Sequence, residues 1–269
     1  MLSTDTILND RMRAVLRSAG SAIMDVYRSD FSVEQKSDES PVTLADRRSA
    51  HILSAFLKKQ YPFPILSEEG ESVPYEVRRT WETFWLIDPL DGTKEFIKGN
   101  GEFTINVALV HRGRSVLGII YVPVKDVLYY ASQGDGAFKV EQGTIKRLPS
   151  KSARNHFVVV GSRSHTTSAF EAYVGLIQKR FEEVTLVSAG SALKFCLIAE
   201  GAADVYPRHG HTMEWDTAAG QVIVEEAGGT IINAETGGPL YYAKENLVNP
   251  HFIAYRSKDI WTSLEARQS

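Results

Sequence analysis

The chain has 269 residues and a mass of 29.9 kDa, with 43% hydrophobic and 23% charged residues, which is an ordinary globular composition. Its length suits one large domain or two modest ones, enough to bury a core without disulfides or a structural metal. Lys and Arg number 30 against 33 Asp and Glu, a net charge of −3 that excludes both the basic footprint of a nucleic-acid-polymer binder and a disordered acidic tail.

The opening MLSTDTILNDRMR lacks the apolar segment of a secretory signal, and no apolar run approaches the ~20 residues that span a bilayer, so neither a leader nor a membrane span is expected. Leu8, Met12, Val15, Leu16, Ala19, Ile23 and Val26 recur at helical spacing, and Thr4-Asp5 supplies a start signal for a first helix. Residues 29–40 are polar and run into Pro41, predicting a loop or a weak hairpin. A second helix is predicted over residues 44–59, with Leu44, Ile52, Ala55 and Phe56 on one side. Pro62 and Pro64 stop it before the short segment Ile65-Leu66-Ser67.

From Phe84 the pattern becomes β-rich. Residues 84–87 read as a buried strand ending at Asp88-Pro89. Residues 104–111 and 116–122 flank Arg112-Gly113-Arg114, and residues 127–131 and 137–140 flank Gln133-Gly134-Asp135-Gly136, predicting two hairpins. Beyond residue 150 the pattern alternates, with strands at 157–161, 184–187, 203–206 and 230–233 and helices at 167–181, 192–200 and 216–227. The composite is a layered α+β architecture of two lobes, residues 1–150 and 151–269, that meet near residue 150. Cys196, the one cysteine, excludes an internal disulfide and lies on an apolar helix face, where a core role is expected.

Three acidic features stand out: Glu68-Glu69-Gly70-Glu71, Asp88-Pro89-Leu90-Asp91-Gly92-Thr93-Lys94-Glu95-Phe96, and Glu214-Trp215-Asp216. Singly, the first reads as a solvated loop and the third as an N-cap ahead of an Ala-rich helix. The second is different. Asp88 sits at a strand end, Pro89 restricts the backbone, and Asp91-Gly92 turns the chain, so two carboxylates can converge. Converging carboxylates repel unless a cation sits between them, and a hard divalent ion takes such oxygen ligands.

Together the three motifs, in this order and spacing, resemble the inositol monophosphatase superfamily of Mg²⁺-dependent, lithium-sensitive phosphatases. Asp91-Gly92-Thr93-Lys94-Glu95-Phe96, Gly161-Ser162-Arg163-Ser164-His165 and Ser191-Ala192-Leu193-Lys194-Phe195-Cys196 resemble its 3'(2'),5'-bisphosphate nucleotidase branch. The resemblance implies an αβαβα sandwich that hydrolyses adenosine 3',5'-bisphosphate to AMP and phosphate in support of sulfur assimilation. It implies two or three Mg²⁺ ions held by Glu68, Asp88, Asp91, Asp216 and the Leu90 carbonyl, with Glu69 nearer a coordinated water. Gly92 and Thr93 would offer N–H groups to phosphate, and the Thr93 hydroxyl would orient water with Asp46 as its partner. Without the resemblance, Asp46 reads as an acid complementing a helix start.

Ser191, Lys194, Arg208 and His165 are the candidates for the second phosphate and the base; Arg208 is expected just after a short strand. For His165, Lys194 and Arg208 a solvated surface position is the alternative. His209 and His211, two apart on a loop with no thiolate, do not read as a zinc site. The implied partner is a small-molecule nucleotide and not a nucleic-acid polymer. Low cysteine usage suits a cytoplasmic location; monomer or homodimer is left open, as is a peripheral contact with the inner membrane. The competing readings are an inositol or broad sugar-phosphate phosphatase and, in another class, a non-catalytic phospholigand sensor.

Overall fold

The computed structural model describes residues 9–29, 33–35, 41–150, 155–163 and 167–265. Helix α1, Asp10–Tyr27, buries Met12, Leu16, Ala19, Ile23 and Val26, the stripe that the spacing predicts. Asn9 caps it by accepting the Met12 N–H at 3.0 Å. Thr4, Asp5 and Leu8 lie outside the described residues. Strands β1 (Val33–Gln35) and β2 (Pro41–Thr43) pair antiparallel; the residues between them lie outside the described ones.

Helix α2, Leu44–Gln60, has the expected extent and part of the expected inner face. Ile52 and Phe56 are half-buried against the core, Leu44 and Ala55 are exposed, and the buried stripe is Ala45, Ser49, Leu53 and Leu57 with Asp46 beside it. The stripe steps by four, as a helix face must. Ser49 belongs on it because its hydroxyl donates to the buried Pro89 carbonyl at 2.8 Å, a reason that hydrophobicity does not reveal.

The next element, β3 (Ile65–Ser67), pairs parallel with β4 (Thr83–Asp91) across a one-turn helix α3 (Tyr75–Arg78). After helix α4 (Thr93–Ile97), strands β5 (Thr104–His111), β6 (Arg114–Val122), β7 (Val127–Ser132), β8 (Gly136–Glu141) and β9 (Thr144–Arg147) form an antiparallel meander. The sheet order is β3-β4-β5-β6-β7-β8-β9, and both predicted hairpins turn at the predicted glycines. Exposed throughout, β9 has no apolar pattern to read, and α3 is too short to have one.

The C-terminal part contains β10 (Phe157–Ser162), α5 (Ser168–Gln178), β11 (Val184–Ala189), α6 (Leu193–Glu200), β12 (Val205–Arg208), α7 (Glu214–Glu226), β13 (Thr230–Asn233), β14 (Phe252–Tyr255) and α8 (Lys258–Glu265). Its sheet order is β11-β10-β12-β14-β13. Sequence periodicity misses β14 although it is internal to the sheet: all four residues are buried, so no alternation marks it.

Three apolar clusters define the layers. Met12, Leu16 and Ile23 of α1 and Leu53 and Leu57 of α2 pack on Trp85, Ile87, Ile105, Val107 and Ile119. The opposite face of that sheet, with Leu86, Ala108 and Ile120, meets Ala219, Val222 and Ile223 of α7, Phe195 of α6, and Val158, Val160 and Phe252 of the second sheet. The far face of the second sheet, with Val159, Val205 and Ile253, is covered by Val174 and Ile177 of α5 and by Ile260, Trp261 and Leu264 of α8. The stack of helix pair, sheet, helix pair, sheet and helix pair is the expected αβαβα sandwich. Cys196 is buried in its middle layer. Among the described residues, no helix is long and apolar enough to cross a membrane.

The start of α7 is anchored by Glu214, which is fully buried. Its carboxylate accepts the Ala243 N–H at 2.7 Å, the Lys244 N–H at 3.0 Å and the Lys244 ammonium at 2.6 Å. Glu214→Ala strands these donors and is expected to destabilise the chain by about 3 kcal/mol. Urea unfolding that shows a change within experimental error would refute this anchoring role.

Candidate active site

The sequence predicts a strand that stops at Ile87. Instead β4 continues through Pro89 to Asp91, with Asp88 opposite Asn106, Asp91 opposite Thr104, and a register shift between. Pro89 and Leu90 together oppose Ile105, which is a bulge, and a bulge is where a strand tolerates proline. The consequence is geometric. Residues three apart on a regular strand point to opposite faces, but the extra residue resets the alternation. Asp88 and Asp91 are thereby paired with two residues of β5 that share a face.

The bulge is held by short contacts. Leu90 donates its N–H to Asp88 Oδ1 at 3.1 Å, and Ser49 holds the Pro89 carbonyl. Gly92 has φ of +93° and leads into α4; a Cβ there would stand 3.1 Å from both the Glu102 carbonyl oxygen and Ser191 Cβ. Thr93 opens α4 and donates its hydroxyl to the Leu90 carbonyl at 3.4 Å.

Two other elements bring carboxylates to Asp88. Parallel pairing sets Ser67 opposite Ile87, and the Glu68 N–H donates to the Ile87 carbonyl at 3.1 Å, so Glu68 lies beside Asp88. Asp216 lies in the first turn of α7, which begins at Glu214, and its Oδ2 accepts the Met213 N–H at 2.8 Å. It closes the helix start from inside rather than acting as the N-cap. Carboxylate oxygens of Glu68, Asp88 and Asp216 all lie within 4.8 Å of one another. Asp91 stands outside this trio, its Oδ2 accepting from Ser191 Oγ at 2.8 Å and Asn106 Nδ2 at 3.1 Å.

Burial, and then the charges of Glu68, Asp91, Asp216 and Asp46, push Asp88 well above the usual carboxylate range. Asp216 is raised by burial and then by Asp91 and Glu68, against the pull of the Met213 N–H and Arg208. Such a set of hard oxygen donors, destabilised by its own charge, fits a divalent cation. A stability prediction follows for the metal-free chain. Both folded-state values lie above those of the unfolded chain, so the folded state retains protons that the unfolded state releases. That stability is present below the ordinary carboxylate range and is lost as pH rises through the raised values. The melting temperature in chelator is therefore expected to fall as pH rises above the ordinary carboxylate range, and a saturating divalent cation should restore it most at the higher pH. Thermal melts across pH with and without the cation check this; a cation effect of one size at every pH would contradict it.

A cavity of about 630 Å³ takes in Glu68, Asp88, Leu90, Asp91, Gly92, Thr93 and Asp216 together with Ser191, Lys194 and Arg208. Asp46 is buried in the first turn of α2, among the charges that act on Asp88. His165 lies outside the described residues. Lys194 is not a surface lysine: it is 5% exposed and donates to the Ser191 and Ala189 carbonyls at 2.5 and 3.3 Å. Burial pushes it down to about 8. Arg208 is the last residue of β12 rather than following it, and its Nη2 donates to the His211 carbonyl at 2.9 Å. Neither His209 nor His211 joins an acidic cluster among the described residues. Sequence reasoning missed Thr104 and Asn106; the available signal was two polar residues inside an otherwise apolar strand, Thr-Ile-Asn-Val-Ala-Leu-Val.

The profile of the inositol monophosphatase family matches residues 5–265. The 3'(2'),5'-bisphosphate nucleotidase CysQ of Salmonella typhimurium is 45% identical over 239 residues, covering 88% of this chain and 94% of that protein. The CysQ nucleotidase of Haemophilus influenzae is 34% identical, covering 98% of each chain. The crystal structure of CysQ from Bacteroides thetaiotaomicron superposes with a TM-score of 0.82 at 46% identity, over 90% of this chain and 94% of that one. The motif order, the five-layer fold and near-complete coverage on both sides converge on one conclusion: the chain belongs to the inositol monophosphatase family.

Proposed function

We propose that this protein is a Mg²⁺-dependent phosphomonoesterase that hydrolyses the 3'-phosphate of adenosine 3',5'-bisphosphate, giving AMP and phosphate. The observation that carries this reading is a single cavity in which three converging carboxylates share the space with a buried lysine and an arginine. A substrate with two phosphates needs both kinds of site. The similar proteins named above are 3'(2'),5'-bisphosphate nucleotidases, and the family is metal-dependent.

Glu68, Asp88, Asp91 and Asp216, with the Leu90 carbonyl, are the proposed ligands for two or three Mg²⁺ ions; all line the cavity and all offer oxygen. When bound, such ions neutralise phosphate charge and lower the pKa of water. The chain itself supplies position and proton handling. Gly92 and Thr93 direct N–H groups to the scissile phosphate, where a Cβ at position 92 would obstruct the approach. The Thr93 hydroxyl accepts a proton from the attacking water and passes its own toward Asp46. Ser191, Lys194 and Arg208 receive the second phosphate, and His165 is assigned to the base. Residues 1–150 and 151–269 thus make one catalytic unit, since ligands from one lobe face Asp216 and the cationic residues of the other. The proposed setting is the cytoplasm, where the enzyme would clear a by-product of sulfate reduction.

Phosphate release from adenosine 3',5'-bisphosphate and from inositol 1-phosphate, with Mg²⁺ and with or without Li⁺, tests the reading. A kcat/KM favouring the nucleotide by about 100-fold or more is expected, because the mono-phosphate leaves the charge of Lys194 and Arg208 without an anion. Preference for the inositol ester would overturn it, as would nucleotide binding without turnover.

A further inference from the structure

We propose that Asn106, held by Thr104, is a positioning residue that orients Asp91 toward the cation site; this rests on the metal-dependent reading above. Asn106 and Thr104 are essentially inaccessible to solvent, and both stand on the face of β5 that meets Asp88 and Asp91 across the bulge. Their neighbours along the strand, Ile105 and Val107, are core residues. A buried amide among apolar residues is costly unless its groups are satisfied.

The bonds define which way the amide faces. The Thr104 hydroxyl donates to Asn106 Oδ1 at 2.8 Å, so the amide oxygen points to Thr104 and its NH₂ to Asp91 Oδ2, at 3.1 Å. Asp91 Oδ2 also accepts from Ser191 Oγ at 2.8 Å, and Ser191 Oγ lies 2.5 Å from Thr104 Oγ1. Two hydroxyl protons therefore serve three contacts. In one arrangement Thr104 donates to Asn106 and Ser191 to Asp91, with no proton in the 2.5 Å contact between the two hydroxyls. In a second, Ser191 donates to Thr104, Thr104 to Asn106, and Asn106 alone holds Asp91. A third, with Thr104 donating to Ser191, strips the buried Asn106 Oδ1 of its proton donor and is disfavoured.

The Asn106–Asp91 bond is common to all three arrangements, while the Ser191 bond is exchangeable. Asn106 is thus the permanent clamp on Asp91, tying up Oδ2 and leaving the other oxygen for the cation. Ser191 can turn to an incoming phosphate without releasing Asp91. Groups that orient a ligand carboxylate commonly contribute 10- to 100-fold to metal affinity, on the order of what is expected here.

Thr104→Val, nearly isosteric, removes the hydroxyl that fixes the amide; Thr104→Ser keeps it; Asn106→Ala removes the clamp. Mg²⁺ affinity is read by calorimetry and by the Mg²⁺-induced rise in melting temperature, and the half-saturating Mg²⁺ in nucleotide hydrolysis is measured alongside. Thr104→Val and Asn106→Ala are expected to weaken Mg²⁺ by about 10-fold or more, with hydrolysis recovering at high Mg²⁺, while Thr104→Ser stays within about twofold of the parent. The proposal is overturned if the parent binds Mg²⁺ and Thr104→Val binds it equally well, or if Thr104→Ser is as impaired as Thr104→Val. A parent chain that binds no Mg²⁺ by either readout would instead bring down the metal-dependent reading, and this inference with it.

Discussion

Asp91→Asn is expected to lower kcat/KM for adenosine 3',5'-bisphosphate by about 10³-fold, roughly 4 kcal/mol of transition-state stabilisation. The substitution keeps size and shape, so the effect comes from charge and hydrogen-bond polarity. Oδ2 of Asp91 accepts from two donors, the Asn106 amide and the Ser191 hydroxyl. An asparagine must place its own NH₂ either against those two donors or toward the cation site. Both orientations are wrong, and the charge on the cation side is lost in each. The folded chain should not suffer in parallel. Asp91 is among the charges that raise Asp88 and Asp216, so its neutralisation relieves repulsion in the metal-free state. The expected signature is therefore a melting temperature in chelator equal to or above that of the parent, with a much smaller rise on adding Mg²⁺. Turnover within tenfold of the parent would remove Asp91 from the proposed ligand set.

Gly118→Val is expected to be the most damaging of the substitutions considered for stability. Gly118 lies in β6 under α7, and a Cβ there would sit 2.3 Å from the Ala219 carbonyl oxygen, 2.6 Å from Val222 Cγ1 and 2.9 Å from Ala219 Cα. Backbone cannot rotate away as a flexible side chain can. Retreat of α7 is also blocked, because a Cβ at Gly220 would already meet Phe195 of α6 at 2.3 Å. The helix is thus clamped between a glycine of the sheet and its own glycine against α6. Forcing a branched side chain into this contact should cost about 3 kcal/mol or more, a melting temperature lowered by roughly 6–12 °C for a chain of this size. Since α7 carries Asp216 in its first turn, Mg²⁺ affinity should fall as well. A melting temperature within a few degrees of the parent would mean that the two elements are not in rigid contact.

Much of the scaffold is local in origin, which is why it can be read from residue patterns. The stripe of α1 repeats with helical period, and the hairpins around Gly113 and Gly134 combine β-rich flanks with turn residues. The elements that escaped lack such a pattern: β9 is exposed along its length, and β14 is buried along its length. The inner face of α2 is legible only in part, at Ile52 and Phe56, for a related reason. Ser49 joins that face through a polar contact to Pro89, forty residues away in sequence.

By itself the sequence determines that this chain carries three acidic motifs, in an order and spacing that identify the family, on a framework of meander strands followed by alternating strands and helices. Only the tertiary structure decides what the motifs do to one another. Three residues of spacing would send Asp88 and Asp91 to opposite faces of a regular strand; the bulge at Pro89-Leu90 puts them on one. Parallel pairing of β3 with β4 sets Glu68 beside Asp88, and the seating of α7 brings in Asp216 from more than a hundred residues away. The buried amide of Asn106 acquires its meaning from Asp91 and Thr104, and Lys194 proves buried although its local sequence would suit a solvated turn. The physical reason is common to all of these. Periodicity and turn chemistry report what a residue does to its near neighbours along the chain, whereas carboxylate repulsion, hydrogen-bond satisfaction and burial act between groups that only folding brings together.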